Sequence, residues 1–209
     1  MKTFTAVALA ASVLADIAHS YYIFEYLTTN GQEGAAYQNI RKNTNYNPSV
    51  TDLVSPGLRC NVGGASGSNA TVVPVAAGGS VTFTADVAVY HQGSVPFYMT
   101  KVANATKADG STQRFKIKEI GPTFSGGSAT WDLRQSYSIT LPSAIYNPGS
   151  TPQFYISCAQ VKLAGGGSGS GSPTVTIPGH IKATDPGYTA SIYNSFNGYT
   201  VPGPKVWTC

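Results

Sequence analysis

The stretch Thr151-Pro-Gln-Phe-Tyr-Ile-Ser-Cys-Ala-Gln160 is the part of the sequence around which the rest can be arranged. Its aromatic, β-branched and small side chains behind Pro152 are typical of a strand that enters a sheet with proline at its first position. Gln153, Tyr155 and Cys158 then place an amide, a phenol and a sulfur at fixed spacing. A core strand with a buried tyrosine and a structural disulfide explains the same pattern, so this stretch alone leaves a functional role open.

Short strand signals recur on both sides of this stretch. Tyr21–Thr29 ends at Asn30-Gly31, the strongest short signal of a β-hairpin. Because no window shows a convincing 3.6-residue apolar period, the spacing predicts an all-β chain, a β-sandwich with long surface loops. Further strands are predicted at Thr71–Val75 and Ser80–Ala85 (a hairpin-like pair), Val95–Met99, Phe115–Ile120, around Trp131 and at Tyr137–Leu141.

The composition narrows the class of protein. Charged residues make up 11% of the 209 residues, whereas the chain has 23 glycines, 13 prolines and 13 tyrosines. This composition is typical of a secreted all-β protein. The net charge of +4 is spread along the chain, which disfavours nucleic acid as a partner.

The amino end predicts export. Met1-Lys2 followed by the apolar run Thr3–Leu14 resembles a secretory signal and is too short to span a membrane. We therefore expect a signal peptide at residues 1–20, one domain at residues 21–209, and no membrane partner. The small residues at Ala18-His19-Ser20 favour cleavage before Tyr21; cleavage before His19 would place Asp16 where a small residue is preferred.

Export would expose the three cysteines to an oxidising compartment, so one disulfide and one remaining thiol are expected. Asn69-Ala-Thr71 and Asn104-Ala-Thr106 match the acceptor pattern for N-glycosylation.

The Gly/Ser-rich run 165–173 is typical of a linker. Thr174–Cys209 is short for a core of its own, so we expect it to pack on the same domain as an extended lid.

The histidines, His19, His91 and His180, permit a small metal site together with Tyr155. Two imidazoles and a phenol oxygen suit copper better than zinc. The same residues carry no motif such as H-E-x-x-H, and a lone histidine like His91 is more often structural or at the surface. His180 has Ser/Gly-rich surroundings and is expected in an exposed loop. A hydrolase is disfavoured, because no paired carboxylates and no Gly-x-Ser-x-Gly turn stand out.

Eight stretches together resemble one known family. They are Asn-Pro-Ser-Val-Thr-Asp-Leu (47–53), Leu-Arg-Cys-Asn (58–61), Ala-Val-Tyr-His-Gln-Gly (88–93), Ile-Gly-Pro-Thr-Phe (120–124), Thr-Trp-Asp-Leu (130–133), Gln-Phe-Tyr-Ile-Ser-Cys-Ala-Gln (153–160), Ala-Thr-Asp-Pro-Gly (183–187) and Tyr-Thr-Val-Pro-Gly-Pro (199–204). Over essentially its whole mature length, the chain resembles the fungal lytic polysaccharide monooxygenases of auxiliary-activity family nine, once classed as family sixty-one glycoside hydrolases.

This resemblance implies a single immunoglobulin-like sandwich with one mononuclear copper on a flat face. Family members oxidise a glycosidic C–H bond in cellulose or related β-1,4-glucans, using an external electron donor and a peroxide or dioxygen. The expected partners are therefore a glucan surface and an electron donor, and the expected protein is a secreted monomer.

The resemblance also implies roles for single residues. In the family, the mature N-terminal histidine binds copper through its amine and its ring, a second histidine completes this brace, and a tyrosine is the axial ligand. His91 matches the second histidine, Tyr155 the axial tyrosine, Gln153 the outer amide, and Tyr199 an aromatic that stacks on sugar. Cys60 and Cys158 match the family's disulfide, which leaves Cys209 as the odd thiol.

Two departures from the family bear on activity. Aligned on Asn30-Gly31, the N-terminal ligand position carries Tyr21, and His19 lies two residues further out. Only Ser143–Pro152 bridges a region where the family has a strand and its turns, with Tyr146 where an outer histidine is expected. These departures leave open a sandwich that lacks one interior strand. They also leave open an alternative function, a secreted, catalytically impaired relative that binds polysaccharide or metal without oxidising it.

Overall fold

The computed structural model describes residues 22–46, 48–142, 156–190 and 197–208. These residues are almost entirely β-strands and loops, with a single-turn helix, α1 (Pro186–Thr189). The strands are β1 (Phe24–Thr29), β2 (Gln32–Glu33), β3 (Val73–Ala76), β4 (Ser80–Ala85), β5 (Val95–Met99), β6 (Phe115–Ile120), β7 (Thr123–Ser125), β8 (Ser128–Thr130), β9 (Ser136–Thr140) and β10 (Val161–Ala164). The all-β prediction is confirmed.

The turn after β1 forms where the sequence predicts it. Asn30 and Gly31 both adopt positive φ angles, 52° and 74°, a backbone conformation that a tight hairpin needs and that asparagine and glycine tolerate best. The chain then returns as β2, with Thr29 paired to Gln32.

One sheet has the strand order β2-β1-β4-β9. In β4, Val81, Phe83 and Ala85 are buried and alternate with residues that face outwards. On the outer face, hydroxyl groups of β4 and β9 pair across the strands, at 2.7 Å for Thr82 and Ser138. This two-residue alternation buries one face of the sheet and leaves a polar face towards solvent.

The opposite layer contains β5, which pairs antiparallel with β6. Phe97 of β5 meets Phe83 of β4, with ring centroids 5.8 Å apart, and both side chains belong to one buried cluster that runs between the layers. The fold is therefore a β-sandwich, as predicted. The question of a missing interior strand falls on residues 143–155, which lie outside the described part of the chain.

The predicted pairing of Thr71–Val75 with Ser80–Ala85 is wrong. β3 pairs in parallel with β10, a strand the sequence did not predict, whereas β4 belongs to the sheet of β1. The turn between them carries the chain from one sheet to the other, because Ala77 N donates to Ala164 O and Gly78 N donates to Leu141 O. The described end of the strand predicted at 151–160 makes only an isolated bridge, between Ala159 and Ile40.

Cys60 and Cys158 form a disulfide, the pairing that the resemblance implied. Both cysteines are buried, and the guanidinium groups of Arg41 and Arg114 lie beside Cys60 Sγ. These guanidinium groups donate to the backbone carbonyls of Arg59, Gly64, Ala65, Ala105 and Gly110. The disulfide and two buried cations together fasten the long loops around residues 59–68 and 104–110.

The tail of the chain packs on the same core, along β6. Val175 exchanges two backbone hydrogen bonds with Arg114, and Trp207 N donates to Lys116 O at 2.7 Å. The Trp207 ring meets Phe115 edge-on at 5.4 Å. The tail is thus packed against the core of the sandwich and does not form a core of its own. In the described segments, no helix has the length and apolarity to cross a bilayer.

Candidate active site

His91 lies on an exposed loop that leads into β5. Its ring is tilted against that of Tyr90, with centroids 4.5 Å apart, and lies 6.2 Å from the ring of Tyr22. Val89, just before it, is buried, and its backbone N donates to Arg134 O. The buried valine anchors the loop, and the imidazole is left accessible to solvent.

The first described residues of the chain are tied to this loop. Ile23 N donates to the Asp86 carboxylate at 2.8 Å, and Asp86 N donates back to Ile23 O at 3.0 Å. Tyr22 is buried under Tyr90, with ring centroids 5.7 Å apart. The amino-terminal end of the described chain therefore lies beside His91.

Tyr199 borders the same region. His91, Tyr22 and Tyr199 all line a cavity of about 380 Å³. The half-buried Tyr199 ring meets Trp131 edge-on at 5.2 Å, and its hydroxyl lies 3.3 Å from Ser94 Oγ. The structure thus brings together two of the residues that the sequence singled out, His91 and Tyr199.

The other proposed site residues, Gln153, Tyr155 and His19, lie outside the described residues. The segment that follows Tyr155 is held against β1, because Ser157 Oγ donates to Phe24 O at 2.6 Å. Within the ranges that the structure describes, no three His, Cys, Asp or Glu side chains come together as a metal-binding group. Among the described residues, His91 is the one histidine that lines this cavity.

His180 does not lie in an exposed loop, and that expectation is wrong. Its ring is half-buried and meets Tyr98 edge-on at 5.7 Å. Burial, followed by the positive charges of Arg114 and Lys116, lowers the pKa of His180 to about 4. A neutral imidazole packed in this way is a structural group rather than part of the candidate site.

The two glycosylation triplets lie near one another, and neither lines the cavity beside His91. Asn69 and Asn104 are exposed, and a Cβ on Gly67 would lie 2.9 Å from the Cα of Thr106. The Asn104 carboxamide oxygen accepts from Thr106 Oγ1 at 2.7 Å. Both acceptor side chains thus face solvent from adjoining loops.

The sequence did not assign roles to Trp131 and Ser94. Trp131 stands in one of the family-like stretches, but its contact with Tyr199 joins residues that are far apart in the chain. No local spacing could have indicated this contact.

Comparison with known proteins matches residues 21–200 to the model of Auxiliary Activity family 9, formerly GH61. The AA9 family lytic polysaccharide monooxygenase E of Podospora anserina is 50% identical over 226 residues, covering 100% of this chain and 76% of the relative. The AA9 family lytic polysaccharide monooxygenase A of Botryotinia fuckeliana is 46% identical over 225 residues, covering 99% of this chain and 69% of the relative.

Solved structures agree with the fold. HiLPMO9B has a TM-score of 0.75 at 27% identity and covers 90% of this chain and 99% of its own. A cellulose-active polysaccharide monooxygenase from M. thermophila has a TM-score of 0.73 at 26% identity. That match covers 90% of this chain and 100% of the solved chain.

The Podospora alignment runs over 226 positions although this chain has 209 residues. Within the aligned region, the relative therefore has at least 17 residues without a counterpart here. With half of its residues identical to that relative and a matching family model over most of its length, the chain belongs to auxiliary activity family 9, the family of the lytic polysaccharide monooxygenases.

Proposed function

We propose that this chain is a secreted, copper-dependent lytic polysaccharide monooxygenase that oxidatively cleaves cellulose or related β-1,4-glucans. One observation carries the proposal beyond family membership: the exposed imidazole of His91 lies 6.2 Å from Tyr22, next to the amino-terminal end of the described chain. Tyr22 lies at most three residues after either candidate start of the mature chain, His19 or Tyr21, and a copper brace requires a second histidine close to the mature N-terminal residue.

The donor chemistry of these residues fits copper. An imidazole nitrogen together with nitrogen and oxygen donors suits Cu(II), which favours tetragonal sites. We assign His91, Tyr155 and His19 as the residues that would hold the metal. When bound, copper would supply one-electron chemistry with the oxygen cosubstrate.

The residues of the chain would do the remaining work. His91 would offer a ring nitrogen from a loop anchored by buried Val89, and Gln153 would offer its amide beside the metal. Tyr199 would stack on a sugar ring, since a tyrosine combines a flat apolar face with a polar tip. Stacking and positioning of the glucan over the site would bring one glycosidic C–H bond within reach.

The remaining features of the proposal are those of an exported protein. The cleavage rule alone would make residues 1–20 the signal peptide and residues 21–209 a single monomeric domain, whereas a complete copper brace needs cleavage two residues earlier, before His19. Asn69 and Asn104 would be glycosylated. The buried disulfide supports an oxidising destination. The partners would be a cellulose or other β-glucan surface and an external electron donor.

The position of signal cleavage decides whether the brace is complete. Cleavage before Tyr21 gives an amine without an imidazole, whereas cleavage before His19 gives both donors. The monooxygenase proposal therefore predicts that the secreted chain begins at His19. The intact mass and the N-terminal peptide of the protein secreted by its native source test this directly.

The functional test measures the copper affinity of the same secreted protein and identifies the products that it releases from cellulose. We expect tight binding of one copper, and oxidised cello-oligosaccharides from cellulose only when a reductant is present. His91→Ala should lower copper affinity by roughly 100-fold or more, because losing a nitrogen ligand should cost at least as much as the roughly 10- to 100-fold loss typical when a ligand's outer-shell partner is removed. His180→Gln serves as the matched histidine control and should bind copper like the parent.

The alternative, an impaired relative that binds polysaccharide or metal without oxidising it, predicts a different result. A chain that begins at Tyr21, binds copper weakly and releases no oxidised products would overturn the monooxygenase proposal. Release of unoxidised oligosaccharides without reductant would indicate a hydrolase.

A further inference from the structure

The Tyr199 ring lies where three strand ends converge. Ser94 precedes β5, Gly121 follows β6, and Trp131 follows β8. Because Val95 pairs with Ile120, Ser94 and Gly121 emerge at the same end of the β5–β6 pair. The half-buried ring contacts Ser94 and Trp131, and a Cβ on Gly121 would lie 4.0 Å from its Cδ1.

Trp131 contacts the ring from one side. The tryptophan is only 8% exposed, and its ring meets Tyr199 at 5.2 Å and an interplanar angle of 76°. This edge-to-face geometry is a favoured arrangement of two aromatic rings. Since Trp131 is itself buried, its rotamer is fixed by packing, and it provides a rigid wall for Tyr199.

Ser94 holds the other end of the tyrosine. Its Oγ lies 3.3 Å from the Tyr199 hydroxyl, and either oxygen can be the donor. One contact at the ring and one at the hydroxyl together restrict both rotation and tilt of the side chain.

The backbone that carries Tyr199 is also fixed. Residues 197–208, here called the strap, pass close to Gly121, where a Cβ would lie 3.2 Å from Val201 Cγ2. The fully buried Lys116 Nζ donates to Pro202 O at 2.9 Å and to the Glu119 carboxylate at 2.7 Å. The strap is therefore anchored three residues beyond the tyrosine.

From this arrangement we infer that Trp131 and Ser94 are positioning residues that fix the Tyr199 ring as a preformed platform for a sugar ring of a β-1,4-glucan. The inference rests on the proposed function. A side chain that is already immobilised loses no rotamer freedom when sugar binds, which is worth about two- to tenfold in affinity. Neither residue needs to touch the glucan to have this effect.

The test is a double-mutant cycle on the copper-loaded protein with cellohexaose as the probe, measured by calorimetry. We expect Ser94→Ala and Trp131→Ala each to weaken binding about two- to tenfold. In a Tyr199→Ala background, neither change should weaken binding further. Ser138→Ala is the matched control, because it also removes a hydroxyl paired with another hydroxyl, on the outer face of β9, and should leave binding unchanged.

Trp131→Phe keeps an aromatic edge towards Tyr199 and should restore most of the affinity lost in Trp131→Ala. Thermal unfolding of each variant identifies any change that disrupts the fold; if Trp131→Ala does not fold, Trp131→Phe and Ser94→Ala decide the outcome. The inference is overturned if the Ser94 and Trp131 changes weaken cellohexaose binding just as much in the Tyr199→Ala background. It is also overturned if neither change weakens binding in the parent. A parent protein with no affinity for cellohexaose or cellulose overturns the proposed function and this inference with it.

Discussion

The imidazole of His180 lies among groups that oppose its protonation. The ring packs against Tyr98, and a Cβ on Gly203 of the strap would lie 3.7 Å from its Cδ2. Burial is the largest cause of its lowered pKa, Arg114 and Lys116 act in the same direction, and Asp185 acts against them. Exposure was predicted for His180 because it follows the Gly/Ser-rich run 165–173. The prediction failed because the groups that cover the ring come from β5, β6 and the strap, which are not its neighbours in the sequence.

This lowered pKa predicts an acid-sensitive stability. Above pH 6.5 the ring is neutral in both states; as the pH falls from 6.5 towards about 4, the unfolded chain takes up the proton first, so the free energy of unfolding decreases. Between pH 7.5 and 4.5 the loss due to His180 is at most about 2.5 kcal/mol, since the ring retains some exposure to solvent. Urea unfolding at both pH values should show a smaller loss for His180→Gln. Equal losses in the two proteins would contradict the prediction.

Among the elements, the Gly/Ser-rich run 165–173 has the composition of a flexible linker but is partly packed. Gly171 is buried against the Phe115 ring of β6, and a Cβ there would lie 2.1 Å from a ring carbon. The composition could not reveal this contact, since glycine serves both flexible linkers and places where backbone and side chain approach closely.

The close approach predicts that Gly171→Ala destabilises the protein. The added methyl group would push against a buried ring, and such overpacking costs about 1 to 3 kcal/mol. Gly198→Ala is the control, because a Cβ there meets no atom within 4 Å, and a change at such an open position should stay within about 0.5 kcal/mol. Equal stability of the two variants in urea would show that Phe115 can move aside at no cost.

Strand positions were predictable where alternation is local, and strand partners were not. β4 and β9 lie close to the predicted segments because alternate apolar residues mark the buried face. β5 and β6 do so because both are rich in aromatic and β-branched residues. β3 was assigned to the wrong neighbour because its partner, β10, lies almost ninety residues further along. Periodicity indicates which face is buried but carries no information about which distant strand supplies the hydrogen bonds.

At the scale of the whole molecule, His91 and Tyr199 were predicted from the family-like motifs. No physical pattern in the sequence, such as periodicity or ligand spacing, indicated them. A single histidine between Tyr90 and Gln92 carries no chemical signal of its own. Proximity of His91 to Tyr22, and support of Tyr199 by Trp131, arise only when the sheets form. The assignments of His19, Gln153 and Tyr155 stay predictions.

The disulfide is the covalent link that acts over the largest part of the chain, since Cys60 and Cys158 are 98 residues apart. In the loop-entropy model, closing a loop of that size in the unfolded chain is worth about 4 to 5 kcal/mol, which is a large fraction of the roughly 5 to 15 kcal/mol that stabilises a typical domain. Its loss should also loosen Arg41 and Arg114, which lie against Cys60 Sγ.

We therefore expect the Cys60→Ala/Cys158→Ala variant to be largely unfolded at 37 °C, as measured by circular dichroism and urea titration. Cys209→Ser is the control: if Cys209 is the odd thiol of a monomer, this variant should unfold like the parent, and the parent should carry one thiol that reacts with maleimide. A double variant as stable as the parent would mean that the buried guanidinium groups and the sheet contacts hold the two loops without the covalent bond.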